Sequence, residues 1–198
     1  MAHSSDRPLA GAPLTDLSLD EAARPSAPQI PDVTDAQRDA GRHLAVIHRH
    51  HLMEIARARA VYRHVVEGRE NPAALQKALE GMDMVQNYRL FGNLCGRECR
   101  MLNFHHDAEE HHVFPTLERK GPTGLALVVA KLRAEHLVVH ELLLRLQDAA
   151  QALETEPTEV QFAETAAVLD KLETVVRSHF GYEETELRDA LGVYMEGF

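Results

Sequence analysis

Leu125-Ala-Leu-Val-Val-Ala-Lys-Leu-Arg-Ala-Glu-His-Leu-Val-Val-His140 repeats apolar residues three and four positions apart, and histidine twice takes an apolar place. At 100° per residue, Leu125, Val129, Leu132, His136, His140, Leu143 and Ala150 share one face, the pattern of an amphipathic helix. Gly121-Pro122-Thr123 breaks the chain before this helix, with Thr123 as its N-cap, and the pattern runs to about Leu153. Downstream, Pro157-Thr158 with Gln161 opens a helix to about Leu191, whose stripe is Leu169, Leu172, Val176, His179, Glu183 and Ala190. Upstream, Asn71-Pro72 pairs an N-cap with a proline whose missing N–H costs nothing at the first helical position. That helix is expected to run toward Phe114-Pro115, with Gly81, Gly92 and Gly96 as weak points. Its stripe is Phe91, Cys95, Leu102, His105, Glu109 and Val113.

The first helix opens at a Thr34–Gln37 capping box, runs to about Val66 and stops at Gly68. It aligns Leu44, His48, His51, Ile55, Tyr62 and Val65. No stretch alternates with the period of a strand. The expected fold is therefore all-α, an up-down-up-down four-helix bundle over residues 35–191 with a tail at 192–198. Residues 1–34 hold Pro8, Pro13, Pro25, Pro28 and Pro31 and little periodic pattern, which predicts a disordered or loosely attached segment.

Composition narrows the function. The 198 residues suit one domain, and 21 Lys+Arg against 31 Asp+Glu give a formal charge of −10. Such a balance argues against a nucleic-acid surface, which needs clustered cations. Two cysteines, Cys95 and Cys99, make no disulfide framework; four apart on one helix, they read as small core residues. The apolar run Leu125–Ala130 is far too short to span a bilayer, and Met1–Asp6 lacks the form of a secretory leader, so a cytoplasmic protein is expected.

Thirteen histidines are the unusual feature. Taken singly, a His-x-x-x-Glu pair is a solvated helix-surface interaction, and a lone stripe histidine is a hydrogen-bonded core residue. Here histidines interrupt the inner stripe of all four helices at similar depth, and Glu109 and Glu183 join them on two. Burying so many polar groups without compensation is expensive, so the set calls for metal at the bundle centre. Imidazole with carboxylate suits Fe, Zn, Cu or Mn, and seven ligands exceed one tetrahedral ion, so two ions fit better. Leu137 in His136-Leu-Val-Val-His140 stands where a zincin helix carries its general base. The fourth helix also lacks the Glu-x-x-His of ferritin-like bundles.

His105-His-Asp-Ala-Glu109-Glu-His-His-Val-Phe-Pro115 resembles the H-x-x-x-E-E-x-x-L-F-P signature of hemerythrin-like, HHE cation-binding domains. Glu135-His136-x-x-x-His140-Glu141 and His179-x-x-x-Glu183-Glu184 resemble that family's third- and fourth-helix motifs, over about residues 36–190. The resemblance implies two non-haem iron ions with a bridging oxygen species from solvent. One iron would take His136, His140 and His179; the other would take His105 and a first-helix histidine, with Glu109 and Glu183 bridging. The stripe holds both His48 and His51; the family register selects His48 and leaves His51 as an outer or alternate ligand. Residue 184 has the spacing of the second bridge in the animal oxygen carriers. It lies about 140° from His179 on an ideal helix, so Glu183 is preferred. His43, His50, His64, His106 and His111 read as surface or rim residues, His112 as an inner-face neighbour, and Tyr88 and Tyr182 as packing or hydrogen-bonding residues near the rim.

The resemblance implies O₂, peroxide or a similar small oxidant as ligand. Three classes of function follow: O₂ storage or sensing, an enzyme that most simply disproportionates peroxide, and iron homeostasis. Surplus histidines, His51 and His112 especially, favour proton movement and hence turnover.

Overall fold

The computed structural model describes residues 7–80 and 105–195. Cys95, Cys99, Tyr88, Phe91, Leu102 and the three glycines expected to weaken the second helix lie outside the described residues. Among those described, every regular element is helical. The helices are α1 (Asp35–Gly41), α2 (Leu44–Val66), α3 (Pro72–Glu80), α4 (His105–Ala108), α5 (Phe114–Lys120), α6 (Leu125–Thr155) and α7 (Glu159–Tyr194). A π-helical turn, Glu109–Val113, joins α4 to α5. The architecture is an all-α helical bundle of the four-helix kind.

The starts and stops have local causes. Thr34 Oγ1 accepts from the Gln37 amide at 3.2 Å while Gln37 Oε1 accepts from the Thr34 amide at 2.9 Å, closing a reciprocal cap. Asn71 Oδ1 caps α3 through the Ala74 amide, and Thr158 Oγ1 caps α7 through the Gln161 amide. At the end of α2, Gly68 adopts a φ of 69°. Its amide reaches the Val65 carbonyl, and that of Arg69 reaches His64, the paired bonds of a Schellman stop that favours glycine.

The first helix, expected as one piece from 34 to about 66, is two. α1 lies so close on α7 that a Cβ at Gly41 would stand 1.9 Å from the Arg188 carbonyl oxygen. A Cβ at Gly192 would come equally close to the Gln37 oxygen. The turn at Arg42–His43 releases the chain from that contact and redirects it into α2.

The apolar interior falls into two parts. One gathers Ile55, Leu142, Leu146, Leu169, Leu172, Val176 and Phe180; the other gathers Leu44, Val113, Phe114, Leu117, Leu132, Leu187 and Leu191. Each buried leucine contributes about 1.5–3 kcal/mol, so the bundle is closed independently on both sides of its middle. The buried histidines and glutamates occupy the layer between.

Residues 7–34 are not the loose segment expected from their prolines. They form a strap across α6 and α7. Leu17 is 1% exposed in the core, and Arg7 pairs with Glu141 at 3.0 Å. Arg24 pairs with Glu135 at 2.9 Å, and the Tyr182 hydroxyl donates to the Pro25 carbonyl at 2.7 Å. An extended strap needs no periodicity; a few arginines and one buried leucine anchor it.

Candidate metal centre

The π turn sets the first feature of the site. Pro115 has no N–H, and its ring crowds the carbonyl four residues earlier, so the helix before it cannot keep regular pairing. The chain widens instead, and the Phe114 amide bonds to the Glu109 carbonyl five residues back. Turns of this kind frequently mark functional positions.

Ahead of this turn His105 and His106 are both buried, 8% and 2% exposed. They face different neighbours. The His105 ring lies 4.7 Å from that of His48 and 5.0 Å from that of His51, on α2. The His106 ring stacks on His136 of α6 at 3.9 Å. The expectation that His106 lies at the surface is therefore wrong: adjacent residues 100° apart can both be interior when a helix sits between two partners. His112, expected on the inner face, is exposed within the π turn, as is His111; His43 and His64 are exposed as expected.

Two groups of donor atoms result, each with its ligand atoms within 4.8 Å of one another. The first comprises His106, His136 and His179; the second comprises His48, His105, Glu109 and Glu183. The Nε2 atoms of all five histidines, and both oxygens of each glutamate, are buried without a hydrogen-bond partner among the described residues. His140 stands behind the first group, its Nε2 3.1 Å from His106 Nδ1. His51 is 1% exposed, with Nδ1 3.6 Å from Glu54 Oε2.

The two glutamates lie between the groups. Glu109 Oε1 is 3.1 Å from His105 Nδ1, while its Oε2 is 3.5 Å from His136 Nε2. Glu183 Oε2 is 3.4 Å from His48 Nε2 and 3.8 Å from His179 Nε2. Each carboxylate thus faces a histidine of either group.

Behind the centre, carboxylates hold the opposite ring nitrogens. His136 Nδ1 meets Glu110 Oε1 at 2.8 Å, His179 Nδ1 meets Glu135 Oε2 at 3.1 Å, and His48 Nδ1 meets Glu184 Oε1 at 2.8 Å. With the proton fixed on Nδ1, each Nε2 lone pair is presented inward, the arrangement metal-binding histidines use. Glu184 thus grips His48 from outside while Glu183 enters the centre. Sequence reasoning missed the outward roles of Glu110, Glu135 and Glu184; their position next to stripe residues was the available signal.

Electrostatics agree with a cation-binding site. Burial, then the charge of Glu183, push the Glu109 carboxyl well above the ordinary range. Burial also depresses His105 and His106 well below theirs, and takes His136 and His140 down to about 3. Burial opposes the charge of Glu183, yet pairing with His48 holds its carboxyl below the usual value. His48 is the exception among the shifted imidazoles: burial opposes its charge, yet Glu183 and Glu184 raise it. Depressed imidazoles and a raised carboxyl crowded against a carboxylate are what a buried cation-binding ligand set shows.

A domain description, the hemerythrin HHE cation-binding domain, matches residues 39–191 of the chain. No curated protein matches it. No solved structure matches it either.

Proposed function

The chain belongs to the hemerythrin HHE cation-binding domain family, and from that premise we propose a non-haem di-iron protein that binds O₂ or peroxide at the bundle centre. The supporting observation is the convergence of five unpaired histidine Nε2 atoms and four unpaired carboxylate oxygens in one buried layer. One iron would be held by His136 and His179 with His106, and the other by His48 and His105. Glu109 and Glu183 would be shared between them. His140, assigned as a ligand from sequence, takes the place of a backing residue for His106 in this reading. The donor set fits iron: imidazole and carboxylate, with no thiolate among the clustered residues.

A bound iron pair supplies redox chemistry toward small oxygen species. The chain supplies the rest. Glu110, Glu135 and Glu184 keep the Nδ1 protons in place and the rings oriented. Phe180 lies flat on His48 at 3.8 Å, and Phe114 lies beside His136 at 5.5 Å, excluding water from both ends of the layer. His51 lies beside the His105 ring with its Nδ1 3.6 Å from Glu54 Oε2, beyond direct hydrogen-bond reach, so a proton moving between the layer and Glu54 would need a bridging water. A bridged route of that kind favours peroxide disproportionation. The enclosing phenylalanines favour a second reading, reversible O₂ binding for storage or sensing without turnover. No described helix is long and apolar enough to cross a membrane, and a cytoplasmic location is part of the proposal.

The deciding experiment reconstitutes the chain with iron under anaerobic conditions and follows its visible spectrum on adding O₂, then peroxide. About two irons per chain, with peroxide loss and O₂ release that vanish on chelation, establish the enzyme. Reversible O₂ uptake without peroxide loss establishes the carrier or sensor. Turnover that survives removal of iron sinks the di-iron mechanism.

A further inference from the structure

The outer carboxylates differ in what holds them. Glu110 is gripped by Arg133 of α6, at 2.9 Å, within the bundle. Glu184 is 37% exposed and can exchange its partners with water. Glu135 is only 2% exposed, and its grip comes from outside the bundle. Arg24, in the strap, donates from Nε to Oε1 at 2.9 Å and from Nη2 to Oε2 at 3.0 Å. The same Oε2 accepts from His179 Nδ1 at 3.1 Å.

We propose that Arg24 is a positioning residue of the metal centre, acting through Glu135 on His179, so that the strap is a working part of the site. The proposal rests on the di-iron reading above. A buried carboxylate facing a neutral imidazole is stable only if another charge balances it. Arg24 supplies that charge in a form that also fixes geometry, because a planar fork on both carboxylate oxygens locks the carboxylate plane. The plane in turn sets the direction of the Nδ1 hydrogen bond and hence the aim of Nε2 on the same ring. Lys131 Nζ, 4.0 Å from Glu135 Oε1, is too distant to donate in its place.

Arg24 is itself held. Its guanidinium lies 4.6 Å above the Tyr182 ring, and the next residue, Pro25, accepts the Tyr182 hydroxyl. The Ala27 amide donates to Glu186. These contacts fasten the strap to α7 two turns or less from His179, which carries the ligand atom.

The test uses the full chain and the variants Arg24→Met, Arg24→Lys and Tyr182→Phe. Tyr182→Phe removes the Pro25 anchor but leaves the ring under Arg24 and the whole Glu135 contact. Iron affinity against a competing chelator should fall about 10–100-fold in Arg24→Met, the range for loss of an outer partner. Arg24→Lys should recover part of it, since it restores charge but not the fork. Tyr182→Phe should stay near wild type. In metal-free protein, the His179 Nδ1 proton should give a downfield imidazole resonance by NMR that moves in Arg24→Met and not in Tyr182→Phe. An Arg24→Met chain with unchanged affinity and unchanged resonance overturns the proposal. So does Tyr182→Phe matching its loss with the His179 resonance unmoved, because the strap would then act only as packing. A wild-type chain that takes up no iron sinks the di-iron reading, and the metal-free resonance still decides whether Arg24 positions His179.

Discussion

The two donor groups are built differently although they share a layer. His106, His136 and His179 form a lobe of neutral donors, each backed by a residue outside the layer: His140, Glu110 and Glu135. His48, His105, Glu109 and Glu183 form a lobe containing both carboxylates, in which Glu184 backs His48 alone and His105 Nδ1 turns to Glu109. One lobe is aimed by its surroundings; the other is aimed by its own members. Because Glu109 and Glu183 also face the first lobe, the carboxylates join the two lobes.

The largest expected effect follows from that joint. Glu109→Ala or Glu183→Ala should take iron from about two per chain to below one, by elemental analysis, since each substitution strips a ligand from both lobes. A variant keeping one full equivalent would show the lobes to be independent. Next in size is the contrast between two histidines in contact. His106→Ala should empty the neutral lobe, whereas His140→Ala should weaken iron affinity only about 10–100-fold, as loss of a backing partner does. A chelator titration separates them; the reverse order would restore His140 as the ligand and make His106 its support.

Acid should then distinguish loaded from metal-free protein. His136 and His140 titrate near 3 when folded but near 6.5 when unfolded, so the unfolded chain binds the extra protons first. Each costs the metal-free protein about 1.4 kcal/mol per pH unit as pH falls from about 6.5 toward 3. Glu109 has the opposite sign: its raised value contributes stability in acid that is lost as pH rises through it. Denaturant melts of metal-free protein should therefore weaken on both sides of an intermediate pH. Loading with iron at 100 times its Kd should add about 2.7 kcal/mol per site near neutrality and release protons on binding. No proton release would mean that Glu109 is already ionised. The smallest effect is expected for Glu184→Gln, because the amide oxygen can still accept from His48 Nδ1 and the position is partly solvated. Its chelator titration should lie close to wild type and well above that of Glu135→Gln, whose carboxylate is 2% exposed; parity would mean that backing strength does not depend on burial.

Much of this was legible from spacing. The stripes through His48, His136, His179 and Glu183 need only regular helices, and α2, α6 and α7 are regular there. The place of His106 was not legible because the wheel assumes one inward face, while α4 sits between two partners. Pro115 was the visible warning that the helix before it departs from regular pairing. The strap was missed for another reason. Helix periodicity measures one-sided burial along a coil, and a segment fastened by Arg7, Leu17 and Arg24 at wide intervals offers no period to measure. Its arginines became meaningful only beside the buried Glu141 and Glu135.

The π turn at Glu109–Val113 bears on how the gene can change. A widened turn amounts to one residue more than the regular helix requires, so deleting a codon there removes the bulge and leaves Pro115 to interrupt the pairing by itself. Phe114 and Leu117 would keep their seats in the core, but everything before the turn would swing by about 100°. His105 and His106 would leave their separate clefts together. Substituting His105 or His106 singly strips a donor from one lobe, whereas a single-codon deletion would remove a donor from both lobes at once. Natural variation in this segment should therefore preserve its length as strictly as the identities of His105, His106 and Glu109.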